Sequence, residues 1–165
     1  MKSIELFITE MEHEAVTTRK MLERVPADKF DWKPHERSMI MKNLTVHLAE
    51  LPEWASIAVN TEGIDFLTMD YKPTEASTSG DLLRIHEESL KKGLEALRST
   101  DEETLKKQWV MRSGDQIHSK GSKADMVRTA ISQTIHHRAQ LGVYLRLLNI
   151  PIPGSYGPSA DEPNF

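Results

Sequence analysis

SKADMVRTAISQTIHHRAQLGVYLRLL, residues 122–148, is the stretch on which the fold turns. Within it Met126, Ala130, Gln133, His137, Leu141, Tyr144 and Leu148 recur every three or four residues, the step that lines up side chains on one face of an α-helix. Ser122, with Asp125 three residues on, makes a capping-box start, and Pro151 and Pro153 supply the stop. The face so defined is apolar except at Gln133 and His137, which stand one turn apart and point inward in this reading.

Three upstream segments carry the same period. The first runs from about Ile4 to Arg24, with Ile4, Phe7, Met11, Ala15, Thr18, Leu22 and Val25 on its stripe and Pro26 after it. The second runs from Ser38, an N-cap residue type, to about Asn60, with Ile40, Leu44, His47, Leu51, Trp54 and Ala58 inward; Pro52 must bend it or cost it a hydrogen bond. The third spans about Ser79 to Arg98, with Leu82, Leu83, His86, Leu90, Gly93, Leu94 and Leu97 inward, and Asp101-Glu102-Glu103 reads as a solvated turn. From Leu105 to Lys120 the pattern weakens around Ser113-Gly114-Asp115, which fits a small hairpin or an irregular loop. The tail from about residue 151 is rich in Pro, Gly and Ser and reads as extended. Four helices of about 20 residues, each about 30 Å long, suit an all-α four-helix bundle over one domain, residues 1–165. The connections are long enough for crossover topology.

Composition narrows the function classes. A chain of 165 residues and 18.8 kDa supports a single core. The formal net charge of −4 supplies no basic stripe for a phosphate backbone, which argues against nucleic acid. No run approaches the roughly 20 consecutive apolar residues of a membrane span, and mean hydropathy is −0.49, so no membrane is expected either. The N-terminal residues show no secretory signal, which makes a cytoplasmic address the default expectation. With no cysteine, disulfides, thiolate metal sites and cysteine nucleophiles are excluded. Seven histidines remain to be explained.

His13, His35 and His118 fall off the stripes or in loops and read as exposed. His136 is turned about 100° from His137 on an ideal helix. The inward histidines are His47, His86 and His137. Gln133 and His137 can share a metal ion, and His47 on a facing helix can supply a third donor, as metal sites in bundle cores are built from different helices. Three donors with open positions suit a catalytic ion. The same placement also suits a core histidine hydrogen-bonded to a neighbour, and Gln133 alone suits a satisfied polar residue. Glu50, three residues after His47, reads as a proton acceptor, as a group that orients an imidazole, or as a surface glutamate. His86 reads as a packed histidine or as a group near the same cavity, and Trp32, Trp54 and Trp109 as core or interface residues.

Four pieces then resemble a known family. They are Phe30-Asp31-Trp32-Lys33-Pro34-His35-Glu36-Arg37-Ser38-Met39, His47-Leu48-Ala49-Glu50, Ile135-His136-His137-Arg138-Ala139-Gln140-Leu141, and the tail Ile152-Pro153-Gly154-Ser155-Tyr156-Gly157-Pro158-Ser159-Ala160-Asp161-Glu162. In this order, over essentially the whole chain, they resemble the DinB family of bacterial damage-inducible proteins, within the wider DinB/YfiT-like group of metalloenzymes. The resemblance implies an up-up-down-down four-helix bundle, a homodimer, and a divalent metal, zinc or nickel, on three histidines. His47 and His137 match two of them. Gln133 stands at the third, with Ser132 where Asn is usual and Ala139 where Gly is usual. A neutral amide is the weaker donor, so a weakened or altered site is expected, or one completed by His86 or water.

Two readings follow from the resemblance. One is a metal-dependent hydrolase, or a transferase that takes a low-molecular-weight thiol from solution, acting on a small molecule. The other is a metal-poor, stress-linked bundle that binds a small molecule or a partner without catalysis. Trp109 or the Pro-rich tail is expected to contribute to a dimer interface.

Overall fold

The computed structural model describes residues 2–70, 72 and 74–164. It is mostly helical, with a small three-stranded sheet. Helix α1 spans Ser3–Glu23, with Met11, Ala15, Thr18, Leu22 and, just beyond it, Val25 buried as the periodicity requires. The expected second helix is two, α2 (Met41–Glu50) and α3 (Glu53–Asn60), because Pro52 has no N–H to continue the ladder. Ser38 is not the cap. Helix α2 begins three residues later, where the N–H groups of Met41 and Lys42 donate to the carbonyls of Trp32 (2.8 Å) and Phe30 (2.9 Å), so backbone satisfies the free donors of the first turn.

Helix α4 (Ser79–Ser99) opens on a capping box in which Thr78 Oγ1 accepts from the Asp81 N–H and Asp81 accepts from the Thr78 N–H. The acidic run is part of a short helix rather than a turn. Asp101 caps α5 (Glu102–Lys106), and Glu102 and Glu103 complement its positive end. The weakly patterned stretch is a hairpin, β2 (Gln108–Ser113) antiparallel to β3 (Gln116–Ser122), turning at Gly114 in the left-handed region (φ 58°). A strand absent from the sequence reading, β1 (Gly63–Asp65), pairs parallel to β2 with Gly63 opposite Val110. Trp109 in β2 is 2 % exposed and its indole N–H donates to Thr61 Oγ1 (3.1 Å), so it is a core residue and offers no surface to a partner.

Helix α6 (Lys123–Leu147) starts on the expected Ser122–Asp125 box. It stops at Asn149, whose positive φ of 58° lets the Ile150 N–H reach back to the Leu145 carbonyl (2.9 Å), before either proline acts. Helices α4 and α6 each pack against α1 and against the α2–α3 pair. Two apolar clusters fill the interior, one around Leu22, Leu44, Leu82 and Leu141, the other around Ala15, Ala58, Leu97 and Val127. At Gly93 the backbones of α4 and the α2–α3 junction nearly touch: a β-carbon there would lie 2.3 Å from the Pro52 carbonyl oxygen.

The tail is a looped strap rather than an extended end. Ser159 Oγ donates to the Ile152 carbonyl (2.7 Å) and accepts from the Glu162 N–H (2.9 Å). Asp161 pairs with Arg146 of α6, and Glu162 with Arg24 at the end of α1. The Tyr-Gly-Pro-Ser-Ala-Asp-Glu motif is thus a clamp on the bundle.

Candidate metal centre at the α2–α6 cleft

Helix α2 carries His47 in its middle and α6 carries His137, and the contact between the two helices brings their rings edge to face with centroids 4.8 Å apart. Both side chains are half-buried. His137 Nδ1 pairs with Gln140 Oε1 (2.8 Å); because the amide oxygen can only accept, Nδ1 donates, and Nε2 is the ring nitrogen left for another partner. Burial, and then the neighbouring His137, hold the His47 pKa below the usual imidazole value, which favours its neutral form. Two imidazoles therefore meet at one point, and a metal there would need both as neutral donors.

Beside His47 lies a cleft of about 570 Å³ whose lining includes Asp31, Met39, Lys42, Glu50, Thr74 and Glu75. The Glu50 carboxylate accepts the Thr74 hydroxyl, and Lys42 is tied to Glu75 (2.8 Å). Glu50 is thus within the cleft and oriented by a neighbour.

Gln133 is exposed. With Arg128, Thr129, Ser132 and His136 it lines a separate shallow depression, not the cleft beside His47. The buried face of α6 includes Ala130, Leu141 and Tyr144 as expected, but it is rotated toward Val127, Ile131, Thr134, Arg138 and Leu145 and leaves Gln133 outside. His86 is fully buried and lines a different cavity from His47. Among the described residues no three His, Cys, Asp or Glu side chains come close enough to form a metal cluster of their own. The donor set that the structure brings together is His47 with His137, and a third donor must come from the Gln133 amide or from outside the protein. His13, His35 and His118 are exposed, as expected, and His136 is exposed too.

The sequence alone did not reveal a buried ion pair. Arg138, next to His137, sends Nη1 to Glu14 Oε2 (2.5 Å) and to the Glu14 carbonyl (3.0 Å), with both side chains almost inaccessible. Tyr156 of the strap donates its hydroxyl to Glu14 Oε1 (2.7 Å) and accepts from Arg138 Nη2 (3.0 Å). The signal was present in Glu14, which stands between Met11, Ala15 and Thr18 on the apolar stripe of α1 and needs a cation to be stable there.

This architecture is that of a known group. The chain belongs to the DinB family, whose pattern it matches over residues 1–164. Its fold is shared with a DinB-like protein from Bacillus cereus, at 17% identity and TM-score 0.70, covering 92% of this chain and 97% of that one. A DinB-like protein from Bacillus subtilis is similar too, at 19% identity and TM-score 0.69, covering 89% and 96%. No protein of curated function matches the chain significantly.

Proposed function

We propose that this DinB-family protein is a divalent-metal-dependent enzyme acting on a small molecule. Its zinc or nickel ion would be held by His47 and His137, with the Gln133 amide as a weaker third donor. The observation that carries the reading is the meeting of two imidazoles, 4.8 Å between centroids, with His47 lining an open cleft. When bound, the ion supplies Lewis acidity toward a substrate oxygen or sulfur. Glu50, held by Thr74 in the same cleft, takes the substrate proton at its carboxylate, and Met39 and Val46 exclude water from the apolar side. A hydrolase, or a transferase drawing a small thiol from solution, fits that arrangement in a protein with no cysteine of its own.

The reading extends to the whole molecule. We infer that α2 and α3 act as one bent helix, which makes the helical body an up-up-down-down four-helix bundle. The address is cytoplasmic; no described helix is long and apolar enough to cross a membrane. The protomer is half of a homodimer, because the ridge Ile135, Ala139, Val143 and Leu147 recurs at four-residue steps along α6 with Val143 and Leu147 each 58 % exposed. Sedimentation then gives twice 18.8 kDa; a mass of 18.8 kDa alone removes the dimer.

One observation favours the second reading, a metal-poor, stress-linked bundle that binds a small molecule without catalysis: Gln133 is exposed and lines another depression. Elemental analysis after growth with zinc or nickel separates the two. The enzyme reading expects about one ion per chain, a melting temperature that rises with added metal, and loss of both in His47→Ala. Gln133→His raises the affinity if residue 133 is a donor. No metal and no thermal shift leave the second reading.

A further inference from the structure

Below the histidine pair, the bundle encloses a small cavity lined by Glu14 and Ala15 of α1, Leu51 after α2, His86 of α4, and Ile131 and Thr134 of α6. Leu51 is one turn beyond His47 and Thr134 one turn before His137, so the cavity lies on the inner side of the cleft helices. The space open to the centre of a water-sized sphere is about 10 Å³. That is room for one water molecule and no more.

His86 is the reason to look there. The side chain has no exposed surface, and among the described residues neither ring nitrogen has a hydrogen-bond partner. Burial lowers its pKa to about 4, so the ring is neutral at pH 7, with one N–H and one bare nitrogen. The backbone groups that act on the ring belong to Ala49 and Ala15, and a carbonyl can accept from an N–H but cannot donate to a bare nitrogen. Whichever tautomer is present, one nitrogen needs a donor. The other polar groups of the lining have none to spare: the Thr134 hydroxyl donates to the Ala130 carbonyl (3.0 Å), and the Glu14 carboxylate only accepts. Leaving such a buried group unsatisfied is costly, and a neutral molecule with two donor hydrogens and a lone pair removes the cost.

We propose that this cavity is a binding site for a single water molecule, which donates to the bare ring nitrogen of His86 and to Glu14 or Thr134, and so ties α4 to α1 or α6 through the core. The site is independent of any metal at His47 and His137.

The test is a crystal structure of the full chain near pH 7 at about 1.5 Å resolution. The expected result is one fully occupied peak 2.6–3.2 Å from a His86 ring nitrogen and within the same range of a Glu14 carboxylate oxygen or Thr134 Oγ1. An empty cavity overturns the proposal, as does a ring rotated to bond a backbone carbonyl with nothing near its second nitrogen. His86→Met, which fills the volume without an acceptor, is expected to lose the peak. Persistence of the peak at full occupancy in that variant overturns the role of His86; if the variant does not fold, the wild-type density decides alone.

Discussion

His137 meets His47 edge to face at a half-buried contact, whereas Arg138, the next residue on α6, is sealed between α1 and α6 against Glu14. In the sealed cluster every charge is answered: Arg138 reaches the Glu14 carboxylate, the Glu14 carbonyl and Tyr156, and Tyr156 reaches back to Glu14. At the histidine pair the rings of His47 and His137 meet edge to face, and among the described residues no third His, Cys, Asp or Glu completes a metal-binding group with them. A buried polar group whose partners are all supplied by the fold serves the fold. A group that the fold orients and leaves open is, under the proposed function, available to a ligand. Two consecutive residues of the His-His-Arg segment are thus divided between the two tasks by the 100° turn of the helix.

The largest effect is expected on the sealed side. Arg138→Met leaves the Glu14 carboxylate buried without its cation and should cost about 3–5 kcal/mol in denaturant unfolding. Pairing it with Glu14→Leu should recover most of that loss; failure to recover would mean that the cluster does more than neutralise itself.

His86 sets the next test. Its pKa is about 4 in the folded chain and near 6.5 unfolded, so the unfolded state binds the proton more readily. Stability is fully retained above pH 6.5 and falls as pH drops through 4, by roughly 3 kcal/mol in all. Besides burial, the charges of Glu87 and Arg19 and the backbone carbonyls of Ala49 and Ala15 act on the ring, and burial outweighs them. His86→Leu should remove this part of the acid slope, measured as the difference between the two stability–pH curves; parallel curves would show that other groups carry it.

Tyr156→Phe deletes the strap's link to Glu14 and Arg138 and should cost about 1–2 kcal/mol, a hydrogen bond to charged groups at a half-exposed ring. The smallest effect on stability belongs to the cleft. His137→Ala should change metal-free stability by less than about 1 kcal/mol while removing metal affinity, seen as loss of the metal-induced thermal shift. A large loss of stability without metal would place His137 with the sealed cluster instead.

Much of this arrangement was readable in the residues. Helices α1, α4 and α6 announce themselves by apolar period and by the Thr78–Asp81 and Ser122–Asp125 caps, and Pro52 announces the break between α2 and α3. Strand β1 does not, because three residues have no alternation to read and their partner in β2 lies more than 40 positions away. The rotation of α6 was misjudged for a physical reason. Polarity puts an arginine outside, and counting Arg138 as surface turns the inward stripe toward Gln133; only the cation demand of Glu14, 124 residues earlier, corrects it. The histidine pair was found by spacing and resemblance, and its geometry by the fold.

Gly93 has a consequence for how the helices are set in depth. The Pro52 carbonyl sits in a notch that only a residue without a side chain can provide. A slip of α4 by one turn, about 5.4 Å, would present Ser89 or Leu90 on one side, or Ala96 or Leu97 on the other, to that same oxygen. The notch therefore works as a key, fixing the axial register of α4 against the α2–α3 junction. It sets the height of His86, two turns away on α4, and with it the level at which the small cavity beside His86 forms.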